Sequence, residues 1–267
     1  MSKVVFIGAG RMAQSIIAGL TKQSHWSIVV SNNGNVNRLE EIEKKYGVQT
    51  TDSWKEEIDD AAVIVLAMPP EAHDSVLKEL ALFIDKQLVI TVAAGIGPSY
   101  LEEALPEQTP VAWLMPNTAA SKGKSMTLCA KGTHVEQAHE SMLAQILASI
   151  GTAEIVSEEQ VHTLTPITGS APAFVYQMAD CLIQPAKEAG ISEQQARKLV
   201  ADMIAGAAAM LQSGDDPQRL IDQVATPGGV TAAGLDVLEQ HDFNSIMKQV
   251  IKACHDRSNN EKSKKDW

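Results

Sequence analysis

The chain opens Lys3-Val4-Val5-Phe6-Ile7-Gly8-Ala9-Gly10-Arg11-Met12-Ala13, and these residues decide the fold. The β-branched and aromatic run fits a buried strand, and it passes without a linker into a glycine-rich turn. Two glycines one residue apart let backbone N–H groups approach a pyrophosphate. The small residue that follows, Ala13, lets the next helix pack on the strand, and the N-terminus of that helix favours negative charge. Alone, such a spacing is weak evidence. Directly after a first strand and before a helix, it marks a dinucleotide-binding βαβ unit rather than a tight turn that binds nothing. Ile7, Gly8, Ala9, Gly10, Arg11, Met12 and Ala13 are therefore the first candidate cofactor residues, with Met12 suited to the core as well.

Farther along, strand-like runs recur at 27–31, 62–67, 87–91 and 110–115, separated by amphipathic stretches such as 36–46 and 71–83. That alternation predicts an α/β fold, a Rossmann-type doubly wound and mostly parallel sheet over residues 1–157. Past residue 155 the strands stop. Segments 169–189 and 193–211 carry apolar residues at helical spacing, among them Phe174, Val175, Met178 and Leu182 in the first and Leu199, Val200, Met203 and Leu211 in the second. An all-helical domain over 158–267 is expected. Its small-residue run Ala205-Gly206-Ala207-Ala208-Ala209 admits close helix packing, and long apolar helices of this kind often complete their core with a second copy, which points to a homodimer.

The end of the second strand sets the cofactor preference. An acid there would accept hydrogen bonds from the ribose hydroxyls of NAD and repel the extra phosphate of NADP. The residues are Ser31-Asn32-Asn33, with Arg38 shortly after, so NADP (NADPH) is favoured and NAD remains possible. Arg38 taken singly reads first as an exposed helix charge.

The bulk composition narrows the partners. A formal net charge of −11 over 267 residues opposes nucleic acid and anionic membrane as main partners, and the one basic cluster, Lys262, Lys264 and Lys265, reads as a solvated tail. No apolar run approaches the roughly 20 residues of a membrane span, and the N-terminus lacks the zones of a signal peptide. Cys129, Cys181 and Cys254 are too few and too scattered for a disulfide framework, which suggests a reducing compartment and a cytoplasmic location. The histidines show no metal-ligand spacing, so no metal is expected.

Further strand ends carry Ala67-Met68-Pro69-Pro70, Ala93-Ala94-Gly95-Ile96 and Met115-Pro116-Asn117-Thr118. The helical half carries Gly169-Ser170-Ala171-Pro172-Ala173-Phe174 and Thr226-Pro227-Gly228-Gly229-Val230-Thr231. In this order, and over nearly the whole chain to about residue 240, the sequence resembles pyrroline-5-carboxylate reductases. The most specific element is Pro227-Gly228-Gly229-Val230-Thr231-Ala232-Ala233-Gly234-Leu235, which is similar to the family signature. The resemblance implies NADPH-dependent, sometimes NADH-dependent, reduction of L-1-pyrroline-5-carboxylate to proline, by dimers able to assemble into larger rings. It also implies cofactor contacts at Ala67, Met68, Pro69, Ala93, Ala94, Gly95 and Asn117, in addition to Ser31 and Asn32. Thr231 would hydrogen-bond near the substrate ring nitrogen as the catalytic residue, while the loop from Pro227 through Gly228, Gly229 and Val230 to Thr231 would hold the carboxylate through those backbone N–H groups that it has, with Ser170 also at the substrate. Without the resemblance, 226–231 reads first as a helix N-cap with threonine as the capping residue.

The sequence departs from the family pattern at several places. Met68 stands where a lysine is usual, Trp113 where an arginine is common, Ala171 in place of a glycine, Trp54 where an asparagine often serves the adenosine half, and His162 where an acid is common. Two rival functions follow. A dehydrogenase or imine reductase for another small acid would keep the glycine loop but need a catalytic lysine in the helical half, where Lys187 and Lys198 sit poorly. A dinucleotide-binding paralogue with a regulatory role would bind cofactor without turnover.

Overall fold

The computed structural model describes residues 1–262, which divide into two compact units, one ending at Gly169 and one beginning at Ser170. Of the charged tail, Lys264 and Lys265 lie outside the described residues. In the first unit β1 (Ser2–Ile7), β2 (Trp26–Ser31), β3 (Gln49–Thr51), β4 (Ala61–Leu66), β5 (Leu88–Thr91), β6 (Val111–Met115), β7 (Ser125–Lys131) and β8 (Gly151–Ile155) build one sheet. Its strand order is β3-β2-β1-β4-β5-β6-β7-β8. Neighbours run parallel except β6 and β7. The chain passes from β1 to β2 on one side and returns to β4 on the other, so the loops after β1 and β4 part at the switch point that open α/β sheets use for ligands.

Strand periodicity explains why both faces are covered. Val4 and Phe6 point into one core and Val5 and Ile7 into the other, and Val63 and Val65 alternate with Ile64 and Leu66 in the same way. The first core is closed by α1 (Arg11–Leu20), α2 (Val36–Tyr46) and α5 (Gln137–Ile150), through Ile16, Ile17, Leu20, Leu39, Ile42 and Leu143. The second is closed by α3 (His73–Leu80) and α4 (Pro98–Ala104), through Leu77, Leu80 and Leu101. Each such side chain contributes roughly 1.5–3 kcal/mol when fully buried. A smaller cluster joins Trp113, Leu128 and Ala130 to Val161 of α6 (Glu158–Thr165), so α6 packs on the sheet.

The sequence reading did not single out β3, β7 or β8, for a physical reason. β3 and β8 are the two edges of the sheet and expose much of their length, and β7 intersperses Ser125 and Thr127 among its apolar residues. None of the three presents the continuous apolar run of a strand buried on both faces.

The second unit is helical, with α7 (Ala171–Glu188), α8 (Glu193–Gln212), α9 (Pro217–Val224), α10 (Val230–Gln240) and α11 (Phe243–Lys262). A single chain buries no side chain of α7, α9 or α10, and of α8 only Ala196 and Val200. Met178, Leu182, Leu199, Met203, Leu211 and Val237 are exposed. Helix starts are nonetheless well capped: Ser192 and Gln195 form a reciprocal capping box, and the Asp216 carboxylate accepts from the N–H groups of Gln218 and Arg219. Among the described residues, no helix is long and apolar enough to cross a membrane.

Cys129 lies in the first core with no exposed surface, and burial pushes its thiol up to about 12. It is therefore an inert core thiol. Alkylation at pH 8 with peptide mapping should leave Cys129 unmodified in the native protein and label it after denaturation. Labelling at the rate of a free thiol would show that the sheet opens.

Candidate functional site

The first-unit site begins at Gly8, whose φ is +109. A Cβ there would lie 2.6 Å from the carbonyl carbon of Ala67, so the turn after β1 and the loop after β4 touch through backbone alone. The Gly8 N–H donates to Ser31 O at 2.8 Å and the Ala67 N–H to Ile7 O at 2.8 Å, which locks the three strand ends together. Gly10 is the N-cap of α1 with extended backbone and no side-chain cap, and the first turn of α1 carries no acid. Its leading N–H groups therefore face outward for an anion. Ala13, fully buried, has the small size that the helix–strand contact requires.

A cavity of about 340 Å³ opens over this turn, lined among others by Gly10, Arg11, Asn32, Arg38, Met68 and Val92. Both guanidinium-bearing residues stand at this cavity, so an anionic ligand meets a helix terminus and two cations. An adjoining cleft of about 560 Å³ runs past Ser31, Asn32, Asn33, Trp54, Lys55 and Pro69. Trp54 stands edge-on to Phe83 with ring centroids 6.1 Å apart, and Lys55 pairs with Glu79 at the same cleft. A two-lobed space with a phosphate-type cradle in one lobe and an aromatic wall in the other fits a dinucleotide.

The structure thus brings the candidates Ile7, Gly8, Ala9, Gly10, Arg11, Met12, Ser31, Asn32, Ala67, Met68 and Pro69 to these two spaces. Ala93 is buried beside them in sequence after Val92, Ala94 is exposed, and Gly95 turns the chain at φ +77. Asn117 has a structural occupation. Its Oδ1 accepts from the Ala119 N–H at 3.0 Å, and its Nδ2 donates to Thr168 O at 3.0 Å. The sequence reading passed over Val92, Lys55 and, as a wall residue, Trp54, because an apolar loop residue and a lone 3₁₀ turn carry no motif.

In the second unit the loop 226–229 leads into α10. Gly228 has φ +71, and Gly229, the N-cap, donates its N–H to Thr226 O at 2.9 Å. A Cβ on Gly229 would lie 2.5 Å from the Thr226 hydroxyl. The capping role that a bare reading gives to threonine is not found: Gly229 occupies that position, and no side chain caps the helix. The first N–H groups of α10 are left available to an oxyanion. Thr231, in that first turn, borders an apolar cavity of about 430 Å³ with Met210, Leu211, Leu220, Ile221 and Leu235. Ser170, the N-cap of α7, closes a single π turn over Pro166–Ser170 and caps with no side-chain bond. Lys187 and Lys198, the lysines a rival dehydrogenase would need, pair with Glu193 and Asp202.

Two departures from the family pattern turn out to be one contact. Trp113 is fully buried, and its ring stands edge-on to that of His162 at 4.7 Å. At these two positions the chain packs an aromatic pair between β6 and α6, away from both first-unit spaces.

The doubly wound sheet, its glycine turn and the two-lobed space define an NAD(P)H-dependent oxidoreductase. Residues 3–95 match the family pattern described as NADP oxidoreductase, coenzyme F420-dependent, and residues 158–261 match that described as pyrroline-5-carboxylate reductase dimerisation. The chain is 36% identical to pyrroline-5-carboxylate reductase 1 of Bacillus spizizenii over 261 residues, covering 96% of this chain and 88% of that protein. It is 31% identical to pyrroline-5-carboxylate reductase of Staphylococcus aureus, covering 96% of each. A solved pyrroline-5-carboxylate reductase from Coxiella burnetii superposes with a TM-score of 0.86 at 28% identity, covering 97% of this chain and 98% of that one. Pyrroline carboxylate reductase of Plasmodium falciparum, solved with NADP bound, gives 0.86 at 25% identity, covering 96% and 97%. The chain belongs to the pyrroline-5-carboxylate reductase family.

The two glycines of the turn should separate on substitution. At Gly10 the nearest atom to an added Cβ is Ala67 O at 3.8 Å and φ is −70, so Gly10→Ala should change stability by less than about 1 kcal/mol. NADPH affinity should nevertheless fall at least about tenfold, since the methyl stands where backbone must approach phosphate. Gly8→Ala, with its clash and its positive φ, should cost roughly 2–4 kcal/mol of stability as well. Thermal unfolding beside an NADPH fluorescence titration reads both, and equal affinity in Gly10→Ala and the parent would remove the phosphate assignment.

Proposed function

We propose that this chain catalyses the NADPH-dependent reduction of L-1-pyrroline-5-carboxylate to L-proline, the last step of proline synthesis. The observation that carries the proposal is the coexistence, in one chain of this family, of a phosphate cradle at Gly8–Gly10 and an uncapped glycine-rich helix start at Gly229 with Thr231 in its first turn. Bound reduced nicotinamide supplies the hydride. The chain's part is to bind, orient and exclude water, because a protonated cyclic imine is already electrophilic at its ring carbon and needs little acid–base help. Such a site needs no His/Asp or Lys/Glu pair.

In this reading Ile7 to Ala13 hold the pyrophosphate. Ala67, Met68 and Pro69, with Ala93, Ala94, Gly95 and Asn117, serve the nicotinamide side, and Ser31 and Asn32 serve the adenosine side. The absence of an acid in Ser31-Asn32-Asn33, together with Arg11 and Arg38 at the cavity, supports NADPH over NADH. The loop of Pro227, Gly228, Gly229 and Val230 faces the substrate carboxylate, with the N–H groups of Gly228 and Val230 as its donors, Pro227 shaping the turn and the Gly229 N–H held by Thr226 O, a nest that needs no cationic side chain. Thr231 donates or accepts a hydrogen bond at the ring nitrogen, and Ser170 adds a hydroxyl. The exposed apolar faces of α7 to α11 support a homodimer, and three free cysteines suit a cytoplasmic location.

Purified protein mixed with pyrroline-5-carboxylate should consume NADPH faster than NADH. NADPH binding without oxidation would instead identify a binding paralogue. Thr231→Ala should lower kcat about 10- to 100-fold with NADPH affinity unchanged, the size expected for one charge-assisted hydrogen bond lost in the transition state. Unchanged turnover would remove Thr231 from the reaction. Arg38→Ala should raise KM for NADPH by about tenfold and leave that for NADH alone, since only the former carries the extra phosphate.

A further inference from the structure

His73 opens α3 and has no exposed surface, yet it belongs to none of the roles above. Its Nδ1 lies 3.2 Å from Pro69 O and its Nε2 lies 3.2 Å from Thr91 Oγ1. The Pro69 carbonyl fixes the direction of the first bond, and the second follows for the neutral ring. A carbonyl only accepts, so Nδ1 carries a proton, and Nε2 of the neutral ring then accepts from the Thr91 hydroxyl. Thr91 Oγ1 in turn accepts from the Ala93 N–H at 3.2 Å. For the neutral ring the result is a directed chain, Ala93 N–H to Thr91 O–H to His73 to Pro69 C=O.

The two ends of this chain lie in different loops. Pro69 follows β4 and takes part in both the cavity over the glycine turn and the adjoining cleft. Thr91 ends β5, and its neighbour Val92 lines the same cavity. Met68 and Pro69 on one side and Val92 on the other are thus walls of one space, and the backbone links them through the Val92 N–H to Leu66 O at 3.1 Å. The Pro69 carbonyl also accepts from the Ala72 N–H at 3.0 Å, so the imidazole takes its second acceptor site. A histidine kept only to fill the second core could be replaced by an apolar residue, as its neighbours Val76 and Leu77 show. A buried imidazole hydrogen-bonded at both nitrogens, to two loops of one cavity, does more than fill space.

We infer that His73 is a positioning residue for the dinucleotide: through Pro69 and Thr91 it fixes the loop after β4 against the loop after β5 and so sets the width of the cofactor cavity. The inference rests on the reading of that cavity as the NADPH site. In the full-length protein, His73→Leu and the isosteric Thr91→Val should each weaken NADPH binding about tenfold, the cost of leaving one buried hydrogen-bonding group unpaired. The double variant should bind no more than about threefold more weakly than His73→Leu, because both remove the same chain. KM for pyrroline-5-carboxylate should stay as in the parent, and Thr91→Ser, which keeps the hydroxyl, should bind NADPH normally. Imidazole ¹⁵N shifts in the parent should report the Nδ1–H tautomer.

Lower melting temperature with NADPH affinity intact in both Thr91→Val and His73→Leu would reduce His73 to a core residue and overturn the inference. Additive losses in the double variant, or the Nε2–H tautomer, would break the chain as drawn. Thr91→Val keeps the volume of the core, so it decides the matter even where His73→Leu does not fold. A parent protein that binds no NADPH would instead remove the site reading itself.

Discussion

The backbone contact between Gly8 and Ala67 is the constraint on which the first unit depends. Two strand ends can meet this closely only if one of them carries no side chain, and the 2.6 Å approach of a notional Cβ shows how little room remains. From that contact follow the parting of the loops at the switch point, the direction in which α1 leaves the sheet, and the outward aim of its first N–H groups. The strands behind it are held by alternating Val, Ile, Phe and Leu that feed two cores at once, so the turn is backed on both faces.

What the sequence made legible was whatever expressed itself as period or punctuation. The runs at 4–7 and 62–67 alternate between two buried faces, and the glycine turn stands between a strand and a helix, where its meaning is specific. β3 and β8 escaped because edge strands need not be apolar, and β7 because Ser125 and Thr127 interrupt it. In the helical half the spacing of Phe174 to Leu182 is clear, but the start of α10 is not. Glycine rather than threonine takes the cap, a distinction set by the φ of Gly228 and the crowding at Gly229 rather than by residue preference. His73 and Thr91 carried no signal at all, since a chain of hydrogen bonds between residues 18 apart has no sequence period.

The departures from the family pattern also look different in three dimensions. Trp113 and His162 count as two oddities along the chain and as one in space, a single ring pair. Met68 and Trp54 line the two first-unit spaces and bring apolar surface there.

The bare helices of the second unit carry a consequence for how the protein is maintained. Within one chain α7, α9 and α10 bury none of their side chains, so the free energy that orders them must come largely from another surface. Where that surface belongs to a second copy, stability acquires a logarithmic dependence on the number of chains present. Dilution then acts as a denaturant, and a cell that makes the chain sparingly exposes its helices to proteolysis in proportion to their scarcity.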